Sequence, residues 1–98
     1  MKIMFVCAGG MSTSILMKKM EKYAAAQGVD LEIMARGVGD YLDVAPQFDC
    51  ILLGPQIGYQ LDNVKSASGK PCGVMKPQDY AIGNCANIMK LAHEVSGK

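Results

Sequence analysis

"KIMFVCAGGMSTS", Lys2 to Ser14, is the stretch whose reading decides the fold. An unbroken apolar run ends at Cys7, two glycines follow, and three hydroxyl residues lead into a segment of helical periodicity. A strand with no polar alternation suits a sheet covered on both faces, which in practice is a parallel sheet flanked by helices. "CILLG", Cys50 to Gly54, repeats the pattern, so the spacing predicts two central strands. Between them "DLEIMA", Asp30 to Ala35, alternates: Leu31, Ile33 and Ala35 point one way, Asp30, Glu32 and Met34 the other, as on an edge strand. "PCGVM", Pro71 to Met75, opens with proline and suits a strand start or the opposite edge.

Each gap between these runs carries helical spacing. Leu16, Met20, Tyr23 or Ala24, and Gln27 predict a first helix with lysines on its outer face and Gly28 as its stop. Ile57, Leu61, Val64 and Ser68 predict a later one, and Ile82, Cys85, Met89, Ala92 and Val95 the last. "GDYLDVAPQ" is consistent with a short helix before Pro46. Alternating strand and helix implies right-handed crossovers. The expectation is therefore one domain over residues 1–98: an α/β fold with a small open four-stranded parallel sheet, order 2-1-3-4, and helices on both faces. In such sheets the ligand site lies at the carboxyl ends of the strands beside the topological switch, here between the first and third strands. The loop after Cys7 and the "GPQ" loop, Gly54 to Gln56, should face each other there.

Composition narrows the function classes. Ten Lys and Arg balance nine Asp and Glu for a formal net charge of +1, with no like-charge block, so nothing marks a nucleic-acid footprint. No apolar run approaches the ~20 residues of a membrane span, and no leader pattern precedes the first strand, which reads as a cytosolic chain. Cys7, Cys50, Cys72 and Cys85 are widely spaced without a C-x-x-C, and His93 is the single histidine. That spacing supports neither a zinc site nor a disulfide framework, so four reduced thiols and no metal or organic cofactor are expected.

Cys7 closes the first strand where a helix is about to begin. Gly9 and Gly10 permit close backbone approach, so amide N–H groups of residues 8–14 can point inward as an anion nest. The helix start adds free donors and roughly +0.5 of partial charge. That field also favours thiolate over thiol, which makes a cysteine there both nucleophile and leaving group. Ala8, Gly9, Gly10, Met11, Ser12, Thr13 and Ser14 are the candidate phosphate cradle, with Ser12 or Thr13 spent on the helix cap. The same residues would also serve a buried sulfur followed by an ordinary turn and cap.

"FVCAGGMSTS" resembles the active-site segment of the cytosolic enzyme IIB components of the bacterial sugar phosphotransferase system, lactose/cellobiose (diacetylchitobiose, lichenan) type, which reads close to C-S-A-G-M-S-T-S. "DCILLGPQIGYQL", Asp49 to Leu61, is similar to the D-x-x-L-L-G-P-Q-I-x-Y stretch of the same family, and length and element order agree throughout. Ala8 and Gly9 replace the usual Ser-Ala, which removes one hydroxyl and leaves the backbone donors. The resemblance implies a type 3 IIB domain whose Cys7 accepts a phosphoryl group from a phosphohistidine of IIA. It then passes the group to a sugar, such as the β-linked disaccharides cellobiose, chitobiose or lactose, translocated by the membrane permease IIC. A cytoplasmic protein held peripherally at that permease follows.

The loop is also similar to that of low-molecular-weight tyrosine phosphatases, C-x-x-x-x-x-R-S, but Thr13 stands at the arginine position. A guanidinium there would clamp equatorial phosphoryl oxygens and stabilise the hydrolytic transition state. The single arginine, Arg36, is expected at the carboxyl end of the edge strand, outside the loop. Two alternatives stay open: a low-molecular-weight cysteine phosphatase or arsenate-reductase-like enzyme, and a phosphate-binding module. Gln56, Tyr59 and Tyr80 are possible site-lining residues, each with an ordinary turn or packing role as the alternative. Met11 suits a partner contact or plain packing, and Asp79 is the one carboxylate to compare with a phosphatase acid.

Overall fold

The computed structural model describes residues 1–7 and 11–97, with backbone alone for residues 11–14. Its elements are β1 (Lys2–Cys7), α1 (Met11–Gln27), β2 (Glu32–Gly37), β3 (Cys50–Leu53), α2 (Leu61–Ser68), β4 (Cys72–Val74), α3 (Pro77–Ile82) and α4 (Cys85–Ser96). The sheet is four-stranded and parallel in the order β2-β1-β3-β4, as the apolar patterns predict. Ile3 to Val6 and all of β3 are fully buried, which identifies them as the two central strands.

Strand alternation divides the core into two. Ile3, Phe5, Cys50 and Leu52 face α1 and α4, where Leu16, Met20, Ile88, Met89 and Ala92 cover them. Met4, Val6, Ile51 and Leu53 face the other way, onto Tyr41, Ala45, Phe48, Ile57 and Val64. At roughly 1.5–3 kcal/mol for each large apolar side chain fully withdrawn from water, these two layers supply the main drive to fold.

Several boundaries differ from expectation. The edge strand runs from Glu32 to Gly37, two residues later than its alternating pattern, because pairing with β1 sets its ends: Lys2 is opposite Glu32 and Cys7 opposite Gly37. Asp30 instead receives the Met1 amino group on its carbonyl at 2.7 Å. In α1, Leu16, Met20 and Ala24 form the buried stripe while Gln27 is exposed. The "GDYLDVAPQ" segment makes two 3-10 turns, Tyr41–Asp43 and Ala45–Gln47, the second containing Pro46 at its start. Ile57 precedes α2 on a 3-10 segment, Pro55–Gln60, with a non-helical φ of −119°. The expected last helix is two, since Gly83 at φ 66° ends α3 and Asn84 caps α4 by accepting from the Asn87 amide at 3.2 Å. Left-handed backbone is costly for any residue with a Cβ, so the periodic pattern is interrupted where glycine permits a turn.

Gly73 shows how closely α4 sits on the sheet. A Cβ there would lie 2.8 Å from Val95 Cγ1 and 3.5 Å from Leu91 Cδ1. Val95 is β-branched and has few rotamers to retreat into. Gly73→Ala should therefore lower the unfolding free energy by about 1–3 kcal/mol, read as a reduced urea midpoint at unchanged m-value; an unchanged midpoint would mean that α4 yields.

Candidate functional site

β1 and β3 are in register, Ile3 with Cys50 through Val6 with Leu53, and the Gly54 amide continues the ladder by donating to the Val6 carbonyl at 2.9 Å. Cys7 and Gly54 consequently stand abreast at the carboxyl ends of the two strands that flank the topological switch. A Cβ built on Gly54 would lie 3.6 Å from the Cys7 Cβ. The two loops that the sequence predicts to face each other thus begin side by side. Cys7 itself is buried at 3% exposure, and its carbonyl accepts from the Val38 amide at 3.1 Å.

By alternation the Cys7 side chain shares the face of Ile3 and Phe5, the face covered by α1. α1 starts at Met11, four residues on, and carries no acidic residue in its first turn. No acidic side chain of that turn therefore offsets its positive end. The backbone of Ser12 and Thr13 lies within that first turn. Ala8, Gly9 and Gly10 lie outside the described residues, as do the side chains of Met11, Ser12, Thr13 and Ser14.

Arg36 sits opposite Val6 in the β1–β2 register, and so shares the face of Met4 and Val6 rather than that of Cys7. It is exposed. The one guanidinium of the chain thus stands at the right end of the sheet and on the wrong side of it to clamp a group on the Cys7 sulfur.

Gln56 stands on the 3-10 segment after β3, and its side chain folds back over Gly54: Oε1 is 2.9 Å from the point a Gly54 Cβ would occupy. Tyr80, on α3, packs against the core layer beneath α1 and borders a shallow hollow with Ile15, Leu16 and Lys19. Tyr59 is 78% exposed. Asp79 is buried and accepts from Asn87 Nδ2 at 3.0 Å, so its carboxylate ties α3 to α4. His93 is exposed in the last turn of α4. The sequence places Gly54 in the loop that faces Cys7, and the structure adds that the two residues stand abreast, with only the width of a side chain between Gly54 and Gln56.

The remaining thiols are structural. Cys50 is fully buried in β3, and Cys72 donates to the Lys70 carbonyl at 3.2 Å. Burial pushes the Cys72 thiol up, partly countered by the Ser68 hydroxyl and by Lys65. Cys85 is raised for the same main reason, against the opposing pull of Lys19. Among the described residues no disulfide is formed.

A family model described as PTS system, Lactose/Cellobiose specific IIB subunit, matches residues 2–91. The chain is 40% identical over 101 residues to the PTS system galactose-specific EIIB component of Lactococcus lactis subsp. cremoris (strain MG1363), covering 95% of this chain and 94% of that one. Over 68 residues it is 31% identical to the PTS system lactose-specific EIICB component of Lactococcus lactis subsp. lactis, covering 69% of this chain and 12% of that longer protein. Among solved structures, the cellobiose-specific phosphotransferase IIB component of Borrelia burgdorferi superposes with a TM-score of 0.82 at 31% identity, covering 99% of this chain and 92% of that one.

The raised thiol of Cys72 has a pH consequence, reinforced by Tyr41, whose phenol is also raised by burial and then by Cys72. Groups with folded pKa values above the unfolded ones stabilise fully below the unfolded value, and that contribution is lost as pH rises through the folded one. The urea midpoint should therefore fall as pH rises above the ordinary thiol range, about 8.5. The double variant Cys72→Ala, Tyr41→Phe should show a shallower alkaline decline, measured by urea titration across pH; an identical slope would remove these groups as the cause.

Proposed function

The chain belongs to the lactose/cellobiose-specific IIB family of the sugar phosphotransferase system, and on that premise we propose that Cys7 is the residue through which it carries its phosphoryl group. Membership makes the protein a phosphotransferase component of sugar transport whose partners are a IIA protein and a IIC permease. No helix among the described residues is long and apolar enough to cross a membrane. The observation that carries the assignment is the position of Cys7: the end of a central strand, beside Gly54 at the switch, four residues ahead of α1.

In the proposed reaction the Cys7 sulfur, as thiolate, attacks the phosphorus of a phosphohistidine on IIA. The S–P bond forms as the N–P bond breaks, and the imidazole nitrogen keeps the electron pair of the broken bond and takes a proton from solvent, to which the thiol proton has gone. In the second step a hydroxyl oxygen of the sugar held by IIC takes the phosphoryl group. The S–P electron pair returns to sulfur and the hydroxyl proton is released. Phosphoryl transfer asks mainly for positioning and charge stabilisation. The start of α1 supports the second need, and the backbone of residues 8–14 is the proposed cradle.

Arg36 lies on the opposite face, so this reading supplies no guanidinium to promote attack by water, and the phosphocysteine persists until a partner collects it. Residues 1–98 act as one IIB domain on the cytoplasmic side, meeting IIA and then the permease at the end of the sheet where Cys7 stands. Gln56 borders that end, Tyr80 lines the neighbouring hollow beside α1 as a candidate site-lining residue, and Tyr59 stands in solvent as a candidate partner contact. The sugar is of the β-linked disaccharide class, such as cellobiose, chitobiose or lactose, and its choice rests with IIC.

Intact mass spectrometry tests the reading. Wild type and Cys7→Ser are incubated with phosphoenolpyruvate, enzyme I, HPr and a lactose/cellobiose-type IIA. One added phosphoryl group on wild type, mapped to Cys7 and absent from Cys7→Ser, is the expected result. No added mass with several IIA proteins, together with hydrolysis of an aryl phosphate, would overturn the carrier and leave a phosphatase.

A further inference from the structure

Gly54 is buried, and its backbone, φ −63° and ψ 148°, is one that any residue adopts. Conformation therefore does not require glycine here, in contrast to Gly28, Gly69, Gly83 and Gly97, all at positive φ. Space does. The point where a Cβ would sit is 2.9 Å from Gln56 Oε1 and 3.6 Å from the Cys7 Cβ. The first distance is too short for any real contact, while the second is ordinary packing. The carboxamide of Gln56 and the Cys7 side chain thus border one small gap that exists because residue 54 lacks a side chain. Filling it would displace Gln56 and leave Cys7 where it is. The displaced group is the end of a flexible chain on an otherwise exposed residue, so the fold itself has little to lose.

We propose that Gly54 is a positioning residue for phosphoryl transfer: its empty Cβ position holds the Gln56 carboxamide against Cys7, where an N–H donates to the phosphoryl group on sulfur. Rotation about the terminal bond of glutamine exchanges oxygen and nitrogen at one place, so the group at the gap can meet an anion with its donor. Such a charge-assisted bond is stronger than a neutral one and needs no mobile cation near the sulfur. The inference rests on Cys7 being the carrier.

The test is a set of five variants measured by the rate at which Cys7 takes up phosphoryl from phosphorylated IIA, with thermal unfolding of each as the control for folding. Gly54→Ala and Gln56→Ala should each slow transfer about tenfold, and the double variant should be no slower than either. Gln56→Glu should be slower still, because a carboxylate at the gap repels the incoming phosphoryl oxygens. Adding Gly54→Ala to Gln56→Glu should then raise the rate, since the new Cβ drives the carboxylate out of the gap. A general structural effect of the Gly54→Ala substitution would instead lower the rate alike in all three backgrounds, those with Gln, Ala and Glu at position 56.

Equal losses in every background, or a Gln56→Ala protein as fast as wild type, would overturn the role of Gly54 while leaving the carrier intact. The Gln56→Ala result decides even if Gly54→Ala fails to fold. Wild type that accepts no phosphoryl group at all would overturn the carrier reading and this role with it, a result distinct from the other two.

Discussion

The pairing of β1 with β3 is the constraint on which the rest of the molecule depends. Both strands are buried on both faces, so their peptide groups have no recourse to water and must satisfy one another along the ladder. Val6 opposite Leu53, with the Gly54 amide on the Val6 carbonyl, is the last rung described before the chains separate. What separates there are the two loops of the site. A slip of one residue would turn the apolar side chains of β3 onto the wrong layers and would part Cys7 from Gly54, so core packing and site geometry are enforced by the same register.

Alternation then sorts the chemistry. Odd positions of β1 face α1 and α4, even positions the 3-10 turns and α2. Cys7 inherits the α1 face, and Arg36, paired with Val6, inherits the other. The two residues are close along the sheet and separated through it. Alternation thus puts the Cys7 side chain on the α1 face and the arginine on the face of α2.

The sheet order was legible in the sequence because burial leaves a strong mark: "IMFVC" and "CILL" carry no polar residue, the alternating run suits an edge, and the proline-led run suits a strand start or the opposite edge. What local pattern could not show was set from outside each segment. The ends of β2 follow β1, two residues beyond its own alternation. The break between α3 and α4 depends on one glycine inside an otherwise continuous stripe, and both Ile82 and Val95 fitted the period although Ile82 proves to be 67% exposed. Cys7 could be singled out from its place between an apolar run and glycines. Gly54 could be placed in the facing loop, but the clearance it leaves between the Cys7 and Gln56 side chains could not, because register brings those two together from distant segments.

Glycine therefore has two physical meanings in this fold. At Gly83 it permits a backbone that other residues resist, and substitution strains the chain itself. At Gly54 and Gly73 the backbone of an extended segment makes no such demand, and what matters is the neighbour: Gln56 Oε1 in one case, Val95 Cγ1 in the other. The consequences differ with the stiffness of that neighbour. Val95 is branched and packed, so crowding it burdens the core. Gln56 is long, flexible and exposed, so crowding it leaves the fold nearly untouched and moves only the carboxamide that borders the gap beside Cys7. A contact of that kind can be lost with little change in stability, so on the role proposed for Gln56 the clearance belongs with the site and not with the core.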